Sequence, residues 1–203
     1  MLADDDRSAE CAKGAKSVIR ATAGLRDSDV IASRLRNAGI QADSELLSGL
    51  YRTRGRLQAR ACTSILKFKD DVKEFESPEV GRKHLEVAYN KQVASLERRL
   101  EKQLSGILNP EPDVELLHSC RKTARRLRYM YELTGAGMAH KMVALQDMLG
   151  EIRDIDLTLD YIGAWREIGL GAVRASERRR RRQLLSKLIA SRGDEEGRKR
   201  QKG

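Results

Sequence analysis

Leu25-Arg26-Asp27-Ser28-Asp29-Val30 and Ile152-Arg153-Asp154-Ile155-Asp156-Leu157 carry one pattern 127 residues apart, and this repeat constrains the fold more than any other feature of the chain. Without a gap, the same offset aligns Val18 with Leu145, Leu35 with Ile162, Arg52 with Arg179, Arg54 with Arg181 and Leu57 with Leu184. A long fixed period of this kind implies duplication, with two related units packing together.

The elements inside those units are helices. Ala, Leu, Arg, Lys and Glu dominate the composition and aromatics are only 4% of residues, which suits a helical bundle rather than a sheet. The prolines Pro78, Pro110 and Pro112 each fall between segments whose apolar residues recur at helical spacing, and glycines at 39, 106, 135, 137, 169 and 171 add punctuation. The pattern predicts helices near 8–37, 43–75, 79–107, 113–134, 138–167 and 171–191. The expected fold is all-α, an antiparallel bundle of about six helices in two related halves. A length of 203 residues suits one domain, 1–191, with a first half at 8–107 and a second at 113–191. The final 192–203 lack apolar residues and are expected to be a disordered basic tail.

A formal charge of +10 draws polyanions such as nucleic acid, anionic membrane or polyphosphate, and does not choose among them. Cys11, Cys62 and Cys120 are an odd number without a Cys-x-x-Cys pair, which argues against a disulfide framework or a structural zinc. No apolar run reaches membrane-spanning length, and the acidic start MLADDD is the opposite of a basic leader. A cytoplasmic location is the expectation.

The most informative segment for function is His118 to Arg128, HSCRKTARRLR, with five cations, one histidine and no acid. On a helix, His118, Arg121, Lys122, Arg125 and Tyr129 fall on one face, and Leu116, Cys120, Ala124, Leu127 and Tyr131 on the other. Glu132 is the first acid downstream, so intrahelical ion pairs cannot neutralise this stripe along most of its length. Something negative from elsewhere should.

Other charges point inward. Arg54 lies within the apolar stripe Leu47, Leu50, Ala61, Ile65, Phe68, Val72 and Phe75, and its repeat mate Arg181 lies among Leu184, Leu185 and Leu188. Asp156 falls on a stripe with Leu145, Leu149 and Ile152, and its mate is Asp29. An unpaired buried ion costs several kcal/mol, so each must meet a partner or line a wet cavity. The expectation is that Asp29 and Asp156 orient arginines of neighbouring helices while surplus inward cations surround an anion site. A closed interior salt-bridge network is the alternative.

His118-x-x-Arg121-Lys122-x-x-Arg125-Arg126-x-Arg128-Tyr129-x-x-Glu132-Leu133, followed by Leu145-Gln146-x-x-Leu149-Gly150-x-x-Arg153-Asp154-x-Asp156, resembles the CHAD family, the conserved histidine α-helical domain. The strong part of the resemblance covers residues 114–165, and the repeat extends it more weakly to about 15–191. The resemblance implies two four-helix halves related by an approximate twofold, each with a histidine-bearing basic helix followed by an Arg-Asp-x-Asp helix. It implies inorganic polyphosphate bound in a central basic groove, in some members at polyphosphate granules, and it implies no catalysis. One departure is that no His-x-x-Arg helix precedes Arg26-Asp27-Ser28-Asp29. Either the recorded start lies downstream of the true one or the first half is shortened; a shortened half would leave an apolar face open, and a homodimer is then expected.

The resulting expectation is a non-enzymatic polyphosphate binder without cofactor or metal. Its contacts would be His118, Arg121, Lys122, Arg125, Arg126, Arg128, Tyr129, Arg153, Arg26, Arg54, Lys141, Arg178, Arg181 and Arg182, with Asp29 and Asp156 as orienting acids. Guanidinium forks hold phosphate oxygens bidentately and a lysine adds a point charge. Arg52, Arg60, Lys67, Arg82 and Lys91 are further cations, while Arg179 and Arg180 should face water. Asp156 and Asp160 stand one turn apart as a metal could require, yet Arg153 beside them favours a salt bridge. An RNA- or DNA-binding protein is the alternative, disfavoured by few aromatics for base stacking and by the lack of a helix-turn-helix or zinc signature. An adaptor docking an acidic partner or a phosphate-metabolism enzyme is another.

Overall fold

The computed structural model describes residues 2–73, 81–107, 112–135, 139–165 and 170–200. They form α1 (Leu2–Asn37), α2 (Glu45–Lys73), α3 (Arg82–Gly106), α4 (Val114–Thr134), α5 (Ala139–Gly163) and α6 (Leu170–Arg200), with no strand among them. The all-α expectation holds. α1 starts at Leu2 rather than near residue 8, since no glycine or proline precedes Gly14 to stop it. α6 runs to Arg200, so most of the tail expected to be disordered is helical. No proline interrupts the backbone hydrogen bonds there, and Glu, Lys and Arg are good helix formers. Phe75, Pro78 and Pro110 lie outside the described residues.

The chain divides into two compact units, Met1–Val80 and Gly81–Gly203. α3, which the sequence pattern grouped with 8–107, packs on α4 and lies in the second unit. Period and propensity identify helices, but the allegiance of α3 depends on contacts that only its side chains create. The repeat mates are α1–α2 and α5–α6.

In the first unit α1 and α2 form a hairpin. α1 ends in a left-handed Gly39 (φ 85°), with Ile40 N–H donating to the Leu35 carbonyl at 3.0 Å, the Schellman arrangement. α2 is capped by Ser44, whose Oγ accepts from the Leu47 N–H at 3.3 Å. Next to this turn Ile31, Ala32 and Leu35 bury themselves with Leu46, Leu47 and Leu50. Further along, Gly24 lets α1 close on Leu57: a Cβ there would stand 3.4 Å from both Leu57 methyls. The α2 stripe is then only partly covered, because one partner helix shields one side of it. Leu47, Leu50 and Ala61 are buried, whereas Ile65 and Val72 are exposed, as are Ile19 and Leu66.

The second unit is a four-helix assembly with one core. Leu96, Leu100 and Leu104 of α3, Leu117, Cys120, Ala124 and Leu127 of α4, Leu149, Ile152 and Ile155 of α5, and Leu184, Leu185 and Leu188 of α6 meet in it. Each such leucine contributes about 1.5–3 kcal/mol by leaving water. Asp113 caps α4, its Oδ1 accepting from the Glu115 N–H at 3.3 Å, and Gly135 ends the helix at φ 68°. α3 is pinned to α4 by polar contacts along its length. Tyr131 donates to Glu97 Oε1 at 2.6 Å, Tyr89 to the Met130 carbonyl at 2.9 Å, and Gln103 Nε2 to Ser119 Oγ at 2.6 Å. With α4 thus fixed on both sides, its remaining face is held in place for function.

A cationic face on the second unit

The apolar residues of α4 dictate how its cations are presented. Leu117, Cys120, Thr123, Ala124, Leu127 and Tyr131 are buried, so the residues at the edge of that stripe are forced into partial burial. His118, Arg121, Arg125 and Arg128 occupy this edge at a spacing of three and four, as one inner row. Lys122, Arg126 and Tyr129 form an outer, exposed row. The single cationic face expected from the helical wheel is therefore two rows with different surroundings.

His118 marks the inner row's chemistry. Its Nδ1 is buried and meets no hydrogen-bond partner among the described residues, so it does not bridge two helices through that atom. Burial lowers its pKa from the ordinary 6.5, and Lys122, Arg153 and Arg121 lower it further, against the opposing pull of Glu115. Three cations to one carboxylate make this a positive locus, and Arg153 brings α5 into it. Arg121 lies across α5 at Gly150: its Nε is 3.7 Å from the position of a Cβ there. An alanine at 150 would meet this guanidinium in ordinary contact.

Several expected contacts are engaged elsewhere. Arg54 Nε donates to Asp29 Oδ1 at 2.5 Å, and Arg181 Nε donates to Asp156 Oδ1 at 2.6 Å. The same pair recurs at mate positions of both hairpins. Covering helices make the difference: the Arg181 and Asp156 side chains are 18% and 10% exposed, those of Arg54 and Asp29 37% and 50%. The two inward arginines are thus neutralised by their own hairpins and are not surplus cations. Arg128 stands 3.2 Å from Glu132 Oε1, an ion pair whose Nε–H is not aimed at the oxygen, and its guanidinium covers the Tyr129 ring at 4.8 Å. It is tied locally rather than presented. Arg126 and Tyr129 are exposed.

On α6, Arg180 does not face water alone. It grips Glu151 with Nε at 2.7 Å and a second nitrogen at 3.1 Å, a bidentate pair the sequence pattern did not reveal because it depends on the rotation of α6 against α5. Arg178 and Arg182 are exposed, and Arg182 shares a shallow α6 depression with Arg179, Gln183, Ser186 and Lys187 rather than the Arg181 position. Arg174, also unforeseen, donates to the Ile162 and Trp165 carbonyls at 2.5 Å each and closes the end of α5. Lys141 is exposed on α5. Arg26 is exposed on α1, within the other unit, as are Arg52, Arg60 and Lys67 on α2. Arg82 and Lys91 are exposed on α3.

No group of three or more His, Cys, Asp or Glu that could hold a metal occurs among the described residues, and Asp156 is committed to Arg181. No helix among them is long and apolar enough to cross a membrane. What α4 and α5 bring together is a basic strip of half-buried His118, Arg121, Arg125 and Arg153 with exposed Lys122 beside them.

No curated protein and no solved structure matches the chain. The family model of the CHAD domain does, over residues 1–163, which takes in α1 to α5 and the whole basic strip. The match covers most of the sequence, and the chain belongs to the CHAD domain family, whose domain is associated with polyphosphate-related proteins.

Proposed function

We propose that this chain binds inorganic polyphosphate without transforming it, using the α4 strip His118, Arg121, Lys122 and Arg125 with Arg153 of α5. The observation that carries the reading is the clustering of Lys122, Arg153 and Arg121 around His118, whose proton affinity all three lower. A polyphosphate chain places a negative charge at every repeat and so matches a row of cations at helical spacing. The half-buried guanidiniums bind phosphoryl oxygens directionally, while exposed Lys122 and Arg126 add attraction over a longer range. Arg54 and Arg181 act as supports, each held by its aspartate. The protein belongs in the cytoplasm on this reading, at polyphosphate granules where these exist. Two copies pair through exposed apolar residues such as Ile19, Ile65 and Leu66, and sedimentation at micromolar concentration checks that.

Titration with long-chain polyphosphate at rising salt tests the function. Each phosphate neutralised releases counterions, so the affinity should fall steeply with salt. Single-stranded RNA should compete poorly, and polyphosphate incubated with protein and magnesium should release no phosphate. Equal competition by RNA would favour a general polyanion binder, and phosphate release would overturn the non-enzymatic reading.

A further inference from the structure

A second basic locus lies wholly within the first unit. Between α1 and α2, beyond the point where Gly24 meets Leu57, the hairpin opens into a groove of about 550 Å³. That volume is in the range of small-molecule sites. Ala21, Gly24 and Leu57 make its apolar floor, and Arg20 of α1 and Arg60 of α2 stand on its two walls with Ser17 and Ser64. Among the described residues neither arginine and neither serine has another hydrogen-bond or ion-pair partner. Thr63 also lines it, its hydroxyl donating to the Ala59 carbonyl.

The surrounding sequence is one-signed. Residues 11–26 contain Lys13, Lys16, Arg20 and Arg26 and no acid; residues 46–69 contain Arg52, Arg54, Arg56, Arg60, Lys67 and Lys69 and no acid. The repeat supplies an internal control. The mates of Arg20 and Gly24 in the second unit are Asp147 and Glu151, and Glu151 is occupied by Arg180. The duplicated seam is thus neutralised by acids in one unit and left cationic, with a glycine floor, in the other.

We infer that the α1–α2 groove of the first unit binds a small organophosphate, with its phosphoryl groups between Arg20 and Arg60 and its apolar moiety on Ala21, Gly24 and Leu57. Ser17 and Ser64 donate to the phosphoryl oxygens, and the apolar moiety rests on Leu57 where it packs against Gly24. This site uses residues of the first unit alone and none of the α4 strip.

Adenosine triphosphate is a suitable probe, titrated calorimetrically into the full chain carrying Arg121→Ala and Arg125→Ala, so that the α4 strip cannot report. Adding Arg20→Ala and Arg60→Ala should weaken binding at least tenfold. Gly24→Glu, which installs the second unit's residue, should do the same with helical content unchanged by circular dichroism. Inorganic tripolyphosphate should bind more weakly than the nucleotide. Nucleotide affinity that ignores all three substitutions would overturn the site. Tripolyphosphate binding as tightly as the nucleotide would overturn the organophosphate assignment. Polyphosphate binding by the chain with an intact α4 strip should survive Arg20→Ala and Arg60→Ala, which separates failure here from failure of the α4 reading.

Discussion

Asp156→Ala and Asp29→Ala remove the same partner from the same repeat position, yet their costs should differ widely. In the second unit Asp156 holds Arg181 at 2.6 Å with side chains only 10% and 18% exposed. Losing the carboxylate leaves a guanidinium near Leu184, Leu185 and Leu188 without its counter-ion. Breaking a fully buried pair costs 3–5 kcal/mol, and the residual exposure here reduces that to about 2 kcal/mol. For a chain of this size that corresponds to about 6 °C in Tm. Asp29 and Arg54 are exposed enough for water to replace the lost partner, so Asp29→Ala should move Tm little. Thermal unfolding followed by circular dichroism compares the two. Arg181→Met in the Asp156→Ala background should restore much of the loss, because the uncompensated charge is then gone. Equal Tm shifts for the two aspartates, or strictly additive effects of Asp156→Ala and Arg181→Met, would refute the argument that burial separates the two halves.

Two further predictions concern α4. Tyr131→Phe deletes the donor to Glu97 and should cost about 1–2 kcal/mol in urea unfolding, since the acceptor is a carboxylate; burial first, and then this contact, pushes the Tyr131 pKa well up, so its phenol should stay protonated through any alkaline range in which the fold survives. His118 has a folded pKa below its unfolded 6.5, so the unfolded chain takes up the proton more readily. Its contribution to stability is intact above pH 6.5 and declines as pH falls from there toward the folded value, a slope that His118→Gln should flatten.

The helices were legible because prolines and glycines fall between runs of helical period, and those signals are local. The pairing of Asp29 with Arg54 and of Asp156 with Arg181 was half legible: matched charges on apolar stripes pointed to partners, and the offset tied the two pairs together. Which cations remained surplus was not legible. Arg54 and Arg181 sit inward in the sequence pattern, but an inward position does not reveal that its own hairpin already neutralises it. Arg128 had Glu132 at an ion-pairing spacing, a local signal outweighed by the density of cations before it. The split of the α4 face into a half-buried row and an exposed row follows from how α3 and α5 flank the helix, and a wheel drawn for one helix carries no such information. For the same reason Glu151 with Arg180 appears only once α6 is set against α5.

On the proposed reading the half-buried guanidiniums of α4 hold polyphosphate. Calorimetric titration of polyphosphate into the wild-type chain and into the Arg121→Ala, Arg125→Ala variant, at one fixed salt concentration, measures this directly. The variant should keep its helical content and lose most of its affinity, because the directional phosphoryl contacts go while net charge falls only modestly. An affinity reduced no more than by removing two exposed cations, such as Arg126 and Lys141, would contradict it.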